Sequence, residues 1–203
     1  GEGVRLWNQS GERIGQFSGR LGIVDSASFS ADGQRLAAVD GERKVIVWNL
    51  SGTELFKLYL DNPIMSAGFS SDGERLATAE LDGRVRIWSK SGEQLAEFDA
   101  YQDQPRHIGF NSDRQHVATV GINGAVKLWN VAGRQVAEFE GTDNVSRVSF
   151  SPDGRHVAAA TGSGVVWLRR VEGLDELLGR GCKLLEGYRD RYPETINVCL
   201  FAD

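Results

Sequence analysis

Apolar and polar positions fall into short alternating runs along the chain, and one run recurs. VRLWNQSG near the N-terminus returns as VIVWNLSG, VRIWSKSG and VKLWNVAG, each an apolar segment ending in Trp before a turn that closes on Gly. Trp7, Trp48, Trp88 and Trp129 lie 41, 40 and 41 residues apart. One further step lands on Arg169 inside VVWLRRVEG, where Gly173 keeps the turn and Trp167 stands two places early. A second landmark keeps the same spacing: FSADGQRLA from Phe29, FSSDGERLA from Phe69, FNSDRQHVA from Phe110 and FSPDGRHVA from Phe150. Two landmarks sharing one period mark an internal repeat.

Within one period the polarity pattern predicts four short strands. The first, such as VDSASFS, alternates small and apolar residues, which suits a crowded innermost strand where blades converge. SADG or SPDG then makes a tight turn, with Asp bonding to nearby backbone and Gly supplying positive φ. The second strand, RLAAVD, RLATAE, HVATVG or HVAAAT, turns small residues toward its neighbours, and the third carries Val and Ile on one face and ends in Trp. After the turn at Gly11, Gly52, Gly92, Gly133 or Gly173 comes an outer strand, RIGQF, ELFKL, QLAEF or QVAEF, alternating as a half-exposed strand does. A period of 40 to 41 with these features is that of a β-propeller blade. The expected fold is all-β, with about four and a half blades: a half blade over 3–18, blades over 22–59, 63–99 and 104–140, and a last blade over 144–171 without its outer strand.

On these landmarks the chain resembles the WD-repeat β-propellers over about residues 3 to 171. Propellers of that family commonly close at seven blades, so the resemblance implies part of a larger ring, with about two to three further blades upstream. In the family a Gly-His pair opens each repeat, and the His reaches the third-strand Trp through Ser or Thr and Asp. Here the matching places read SGR, LYL, DAY and EGT, without His. The Asp survives as Asp82, against Glu42, Asn123 and Ser163, and the hydroxyl survives as Thr78 and Thr119, against Ala38 and Ala159. With that network largely lost, cohesion is expected mainly from apolar packing between sheets, at about 25 cal/mol per Å² buried.

The period breaks after Arg170. VEGLDELLGRGCKLLEGYRDRYPE sets Leu174, Leu177, Leu178, Cys182, Leu185 and Tyr188 at helical spacing, which predicts an amphipathic helix in a tail over 172–203. Standing where an outer strand belongs, this helix is expected to cover the edge of the last blade. The tail is similar to the sequence that closes many cyanobacterial WD-repeat proteins, in which the propeller often follows a STAND-type NTPase module. That likeness implies a bacterial protein and a sensor or regulatory role.

Composition narrows the partners. Against 28 acidic residues the chain has 23 basic ones, scattered singly, for a net charge of −5, so neither nucleic acid nor a membrane surface is expected as partner. Cys182 and Cys199 are too far apart for a Cys-x-x-Cys site and fit two reduced thiols in a cytoplasmic protein.

Candidate chemistry is sparse. His116 and His156 open equivalent second strands beside turns, while His107, on an inner strand next to Arg106, is the better functional candidate. No Ser-His-acid set, phosphate-cradling loop or close carboxylate pair is suggested, so no catalytic role, cofactor or metal is expected. The rim offers more. Asp25, Met65, Arg106 and Ser146 stand at equivalent entrances to the innermost strands, with Tyr59, Asp61, Asn62, Tyr101, Gln102 and Asp103 in the adjoining loops. In the family this face commonly binds proteins, and Tyr, Met and Arg dominate interface energetics. Asp25, Tyr59, Met65, Tyr101, Arg106 and Ser146 are therefore the expected partner-binding set of a non-catalytic protein-interaction scaffold. The alternative is a structural or oligomerisation module that self-associates through open blade edges.

Overall fold

The computed structural model describes residues 3–19, 22–40, 43–100, 104–140 and 145–171. The expected tail helix over 172–203, both cysteines and Tyr101 lie outside the described residues. Among the described residues every regular element is a strand, and the strands make five antiparallel sheets. The first sheet holds β1 (Val4–Trp7) and β2 (Arg13–Phe17). The second runs β3 (Val24–Phe29), β4 (Arg35–Asp40), β5 (Lys44–Asn49) and β6 (Glu54–Tyr59). The third runs β7 (Ile64–Phe69), β8 (Arg75–Glu80), β9 (Arg84–Ser89) and β10 (Gln94–Asp99). The fourth runs β11 (Pro105–Phe110), β12 (His116–Gly121), β13 (Val126–Asn130) and β14 (Gln135–Phe139). The fifth holds β15 (Val145–Phe150), β16 (His156–Thr161) and β17 (Val166–Arg170). Strands follow one another in sequence order within each sheet, as antiparallel meanders joined by tight turns do.

Tight turns explain where the glycines sit. At Gly133 the backbone has φ of 85°, and an added Cβ would stand 2.7 Å from Cβ of Phe98 on the preceding sheet. This turn therefore needs Gly for its left-handed backbone and also for the close approach of its neighbour. Arg114 stands where the other first-to-second-strand turns have Gly, and it takes φ of 62°. Its carbonyl accepts from Nη1 of Arg75 at 2.9 Å and its guanidinium lies 3.5 Å from Asp72, contacts that hold a conformation costing roughly 1–2 kcal/mol for a side-chain-bearing residue.

The sheets stack face to face, and one junction recurs. Between the second and third sheets Val45 and Val47 share a core with Leu76, Ala67 and Trp88. Between the third and fourth, Val85 and Ile87 share one with Ile108, Val117 and Trp129. Between the first and second, Val4 and Leu6 pack on Leu36, Ile46 and Trp48. In each, third-strand aliphatics of one sheet receive the Trp of the next. The end sheets break the pattern. Val45, Val85 and Val126 are wholly buried, whereas Val166 at the same place on β17 is 64% exposed, and Leu168 is 63% exposed. Trp48 is wholly buried, whereas Trp7 is 54% exposed.

The indole hydrogen bonds follow the sequence. Nε1 of Trp88 donates to Oγ1 of Thr78 at 3.0 Å and that of Trp129 to Thr119 at 2.9 Å. Trp48 faces Ala38 at the equivalent place, which offers no acceptor, and donates instead to the carbonyl of Ser18 at 3.3 Å.

Candidate functional site

Each innermost strand opens with a β-bulge, and the register steps over one residue there. Val24 pairs with Asp40 and Ser26 with Val39, so the step passes over Asp25. Ile64 pairs with Glu80 and Ser66 with Ala79, passing over Met65. Pro105 pairs with Gly121 and His107 with Val120, passing over Arg106. Val145 pairs with Thr161 and Arg147 with Ala160, passing over Ser146. A bulge turns one side chain out of the pleat and fixes its direction. The structure thus places four residues of the expected set in one repeated geometry, each carrying a different chemistry: carboxylate, thioether, guanidinium and hydroxyl. Asp25, Met65 and Ser146 are exposed and Arg106 is half-buried.

A second set of bulges marks the start of the outer strands and steps over Ile14, Leu55, Leu95 and Val136. All four are exposed aliphatics. The outer set repeats one chemistry four times, as a feature of the repeat itself does. The inner set varies in chemistry at constant geometry.

Neighbouring innermost strands are tied together just inside the bulges. The amide of Ile108 on β11 donates to Oγ of Ser66 on β7 at 3.3 Å, and the amide of Val148 on β15 approaches Nδ1 of His107 at 3.5 Å. Ser66 and His107 hold the same place in successive repeats, so the His continues a structural tie. Burial, with the nearby charge of Arg147, lowers the pKa of His107 to about 4, which leaves the ring neutral near pH 7. This contact is a structural one for His107, which the sequence offered only as the better candidate among three histidines. His116 lies 2.6 Å from Asp113 through Nδ1, within its own turn.

The adjoining loops add a charged cluster that the sequence reading missed. Nδ2 of Asn62 donates to Asp82 at 2.7 Å, which ties the loop before β7 to the loop before β9. Behind them Arg86, almost fully buried, pairs with wholly buried Glu80, donates through Nε to Glu97 at 2.8 Å and lies 3.8 Å from exposed Asp61. Burial outweighs the guanidinium and raises the pKa of Glu80. The sequence offered no clear signal: Arg5, Ile46 and Lys127 occupy the place of Arg86 in the other Trp-ending third strands, so a cation there does not stand out. Tyr59, exposed at the end of β6, stacks beneath Nζ of Lys44 at 5.6 Å.

At the far ends of the innermost strands the Asp turns brace one another. Arg35 donates to the carbonyl of Gly73 at 3.2 Å, Arg75 to that of Arg114 at 2.9 Å, and Asn111 to that of Gly154 at 3.1 Å. The hydroxyls of Ser30 and Ser151 hold Asp32 and Asp153 below the usual carboxylate range. Each carboxylate is thus engaged within its own turn, a stabilising arrangement. Among the described residues, no group of three or more His, Cys, Asp or Glu is placed to hold a metal ion.

A family model described as WD domain, G-beta repeat, matches the chain four times, over residues 11–49, 53–89, 92–130 and 133–168. Each match covers the outer strand of one sheet and the three inner strands of the next, so every repeat is shared by two sheets. No curated protein matches the chain.

Proposed function

Because the chain belongs to the WD-repeat family, whose domains are typically non-catalytic and mediate protein–protein interaction, we propose that it is a protein-binding scaffold whose partner lies across the innermost-strand bulges. The observation that carries this reading is the row of Asp25, Met65, Arg106 and Ser146, different side chains aimed by identical backbone geometry. Ties between adjacent strands hold the row in place before binding, which lowers the ordering cost that a flexible surface incurs. Tyr59, exposed at the end of β6, adds an amphipathic ring to the surface. The resemblance of the tail to cyanobacterial WD-repeat proteins supports a regulatory role within a larger multidomain protein.

The test is co-purification from the source cells followed by titration of the captured protein. Met65→Ala with Arg106→Ala is expected to weaken binding tenfold or more, since an interface residue that matters contributes about 1.4 kcal/mol or more. Tyr101→Ala is expected to add to that loss. Leu95→Ala, on the outer bulge row, leaves affinity unchanged. Equal affinity for wild type and the Met65/Arg106 double variant would reject this face.

A further inference from the structure

The crossing from β6 to β7 is held at its ends and in its middle. Leu60 and Ile64, both buried, enter the core shared by the second and third sheets, with Asp61, Asn62 and Pro63 between them. Pro63 restricts its own φ and biases Asn62 toward extended backbone. The carbonyl of Pro63 accepts from the amide of Leu81 at 2.8 Å, and Nδ2 of Asn62 donates to Oδ2 of Asp82 at 2.7 Å. Asp82 is fixed in turn by its own loop, where Oδ1 accepts from the amide of Arg84 at 3.2 Å. From the second sheet, Nη1 of Arg43 donates to the carbonyl of Asp61 at 3.3 Å. Met65 directly follows buried Ile64 and is the residue that the register steps over, so the seat of the crossing decides where Met65 is presented. One repeat later the places of Asn62 and Asp82 hold Asp103 and Asn123, the same two residue types exchanged. Asp103 lies outside the described residues, but Asn123 turns Oδ1 to the amide of Ala125 at 3.0 Å, as Asp82 turns Oδ1 to that of Arg84. The Nδ2 of Asn123 then takes the place of the Asp82 acceptor, so a donor stands where an acceptor stood.

We propose that Asn62 and Asp82 are positioning residues for the binding row: their hydrogen bond, across the junction of two sheets, sets where Met65 is presented. The assignment rests on the reading of the bulges as the binding face, since neither residue lies in the row. A hydrogen bond to a carboxylate is stronger than a neutral one and is directional, so this tie fixes orientation as well as separation. Arg86 supports it from behind, 3.8 Å from the carboxylate of Asp61 on the same crossing.

Met65 is the one methionine of the sequence, so NMR of the full chain with isotope-labelled methionine methyl groups gives a single methionine resonance that reports its surroundings. Asn62→Ala removes the donor without adding charge, and Asn62→Asp sets two carboxylates against each other. Each is expected to move the resonance by more than its linewidth. Adding Asp82→Asn to Asn62→Asp restores one donor and one acceptor, with the residue types that Asp103 and Asn123 have in the next repeat, and is expected to return the resonance to its wild-type position. Melting curves identify any unfolded variant; should Asn62→Asp unfold, Asn62→Ala carries the loss and the double variant is compared with wild type directly. The measurement needs no partner, so its outcome is separate from whether the row binds one. A resonance that stays in place in the folded Asn62 variants, or that the second change does not return, would overturn the proposal.

Discussion

Arg86→Ala is expected to destabilise the fold by about 3–5 kcal/mol, among the largest effects of any single change, because it strands a carboxylate in the interior. Glu80 has no exposed surface, and its charge is met by Arg86. One oxygen of Glu80 has no hydrogen-bond partner even with the guanidinium present. Removing the guanidinium leaves Glu80 to protonate or to bear its desolvation alone. Burial already raises the pKa of Glu80 against the pull of Arg86, so the variant raises it further. A carboxyl with a higher pKa folded than unfolded binds more protons in the folded state. Its contribution is complete below the unfolded carboxylate pKa and is lost as pH rises through the folded one. The deficit of Arg86→Ala is therefore expected to be largest near neutral pH and to shrink on acidification, read by urea denaturation across pH. Glu97 works in the opposite sense: the hydrogen bond from Arg86 lowers its pKa, so its share is present above the usual carboxylate range and lost as pH falls. Joint replacement, Glu80→Leu with Arg86→Met, is expected to recover most of the loss, since Ile46 fills the place of Arg86 one sheet earlier.

Trp48→Ala is expected to cost about 3–5 kcal/mol, and Trp7→Ala within about 0.5 kcal/mol, although both residues occupy one place in the repeat. Trp48 is wholly buried between the first two sheets, its ring tilted against Phe17 at 5.9 Å, with Leu36 and Ile46 in the same cluster. Truncation there opens a cavity that β-sheet neighbours on both sides are too constrained to fill. Trp7 loses contacts on one side only. Thermal and urea denaturation of the two variants separates a burial effect from a repeat-position effect.

Much of this arrangement is legible in the sequence, for a physical reason. Strand period, turn chemistry and the Trp register are local, and repetition amplifies each of them, so the all-β class and the strand succession are readable from Phe29, Trp48 and their equivalents. The bulges are different in kind. A bulge is a relation between two strands, and nothing in the residues Val24, Asp25 and Ser26 alone says that the register steps over the middle one. The sequence could place Asp25, Met65, Arg106 and Ser146 as equivalent, but their common aim appears only in the pairing. The Arg86 cluster was hidden for another reason: scattered charges read as solvated, and only the stacking of sheets reveals that Glu80 is enclosed. His107 was only a candidate in the sequence, because its neighbour across the gap, a backbone amide, appears only in the structure.

All of this depends on consecutive sheets covering each other's third strands, and one comparison tests it most directly. Leu128→Ala and Leu168→Ala are chemically identical changes at the same place in consecutive repeats, one covered by the next sheet and one not. In equilibrium urea denaturation of dilute protein, Leu128→Ala is predicted to lose about 2–5 kcal/mol and Leu168→Ala within about 0.5 kcal/mol. Equal losses at the two positions, or a larger loss at Leu168, would contradict the stacked arrangement.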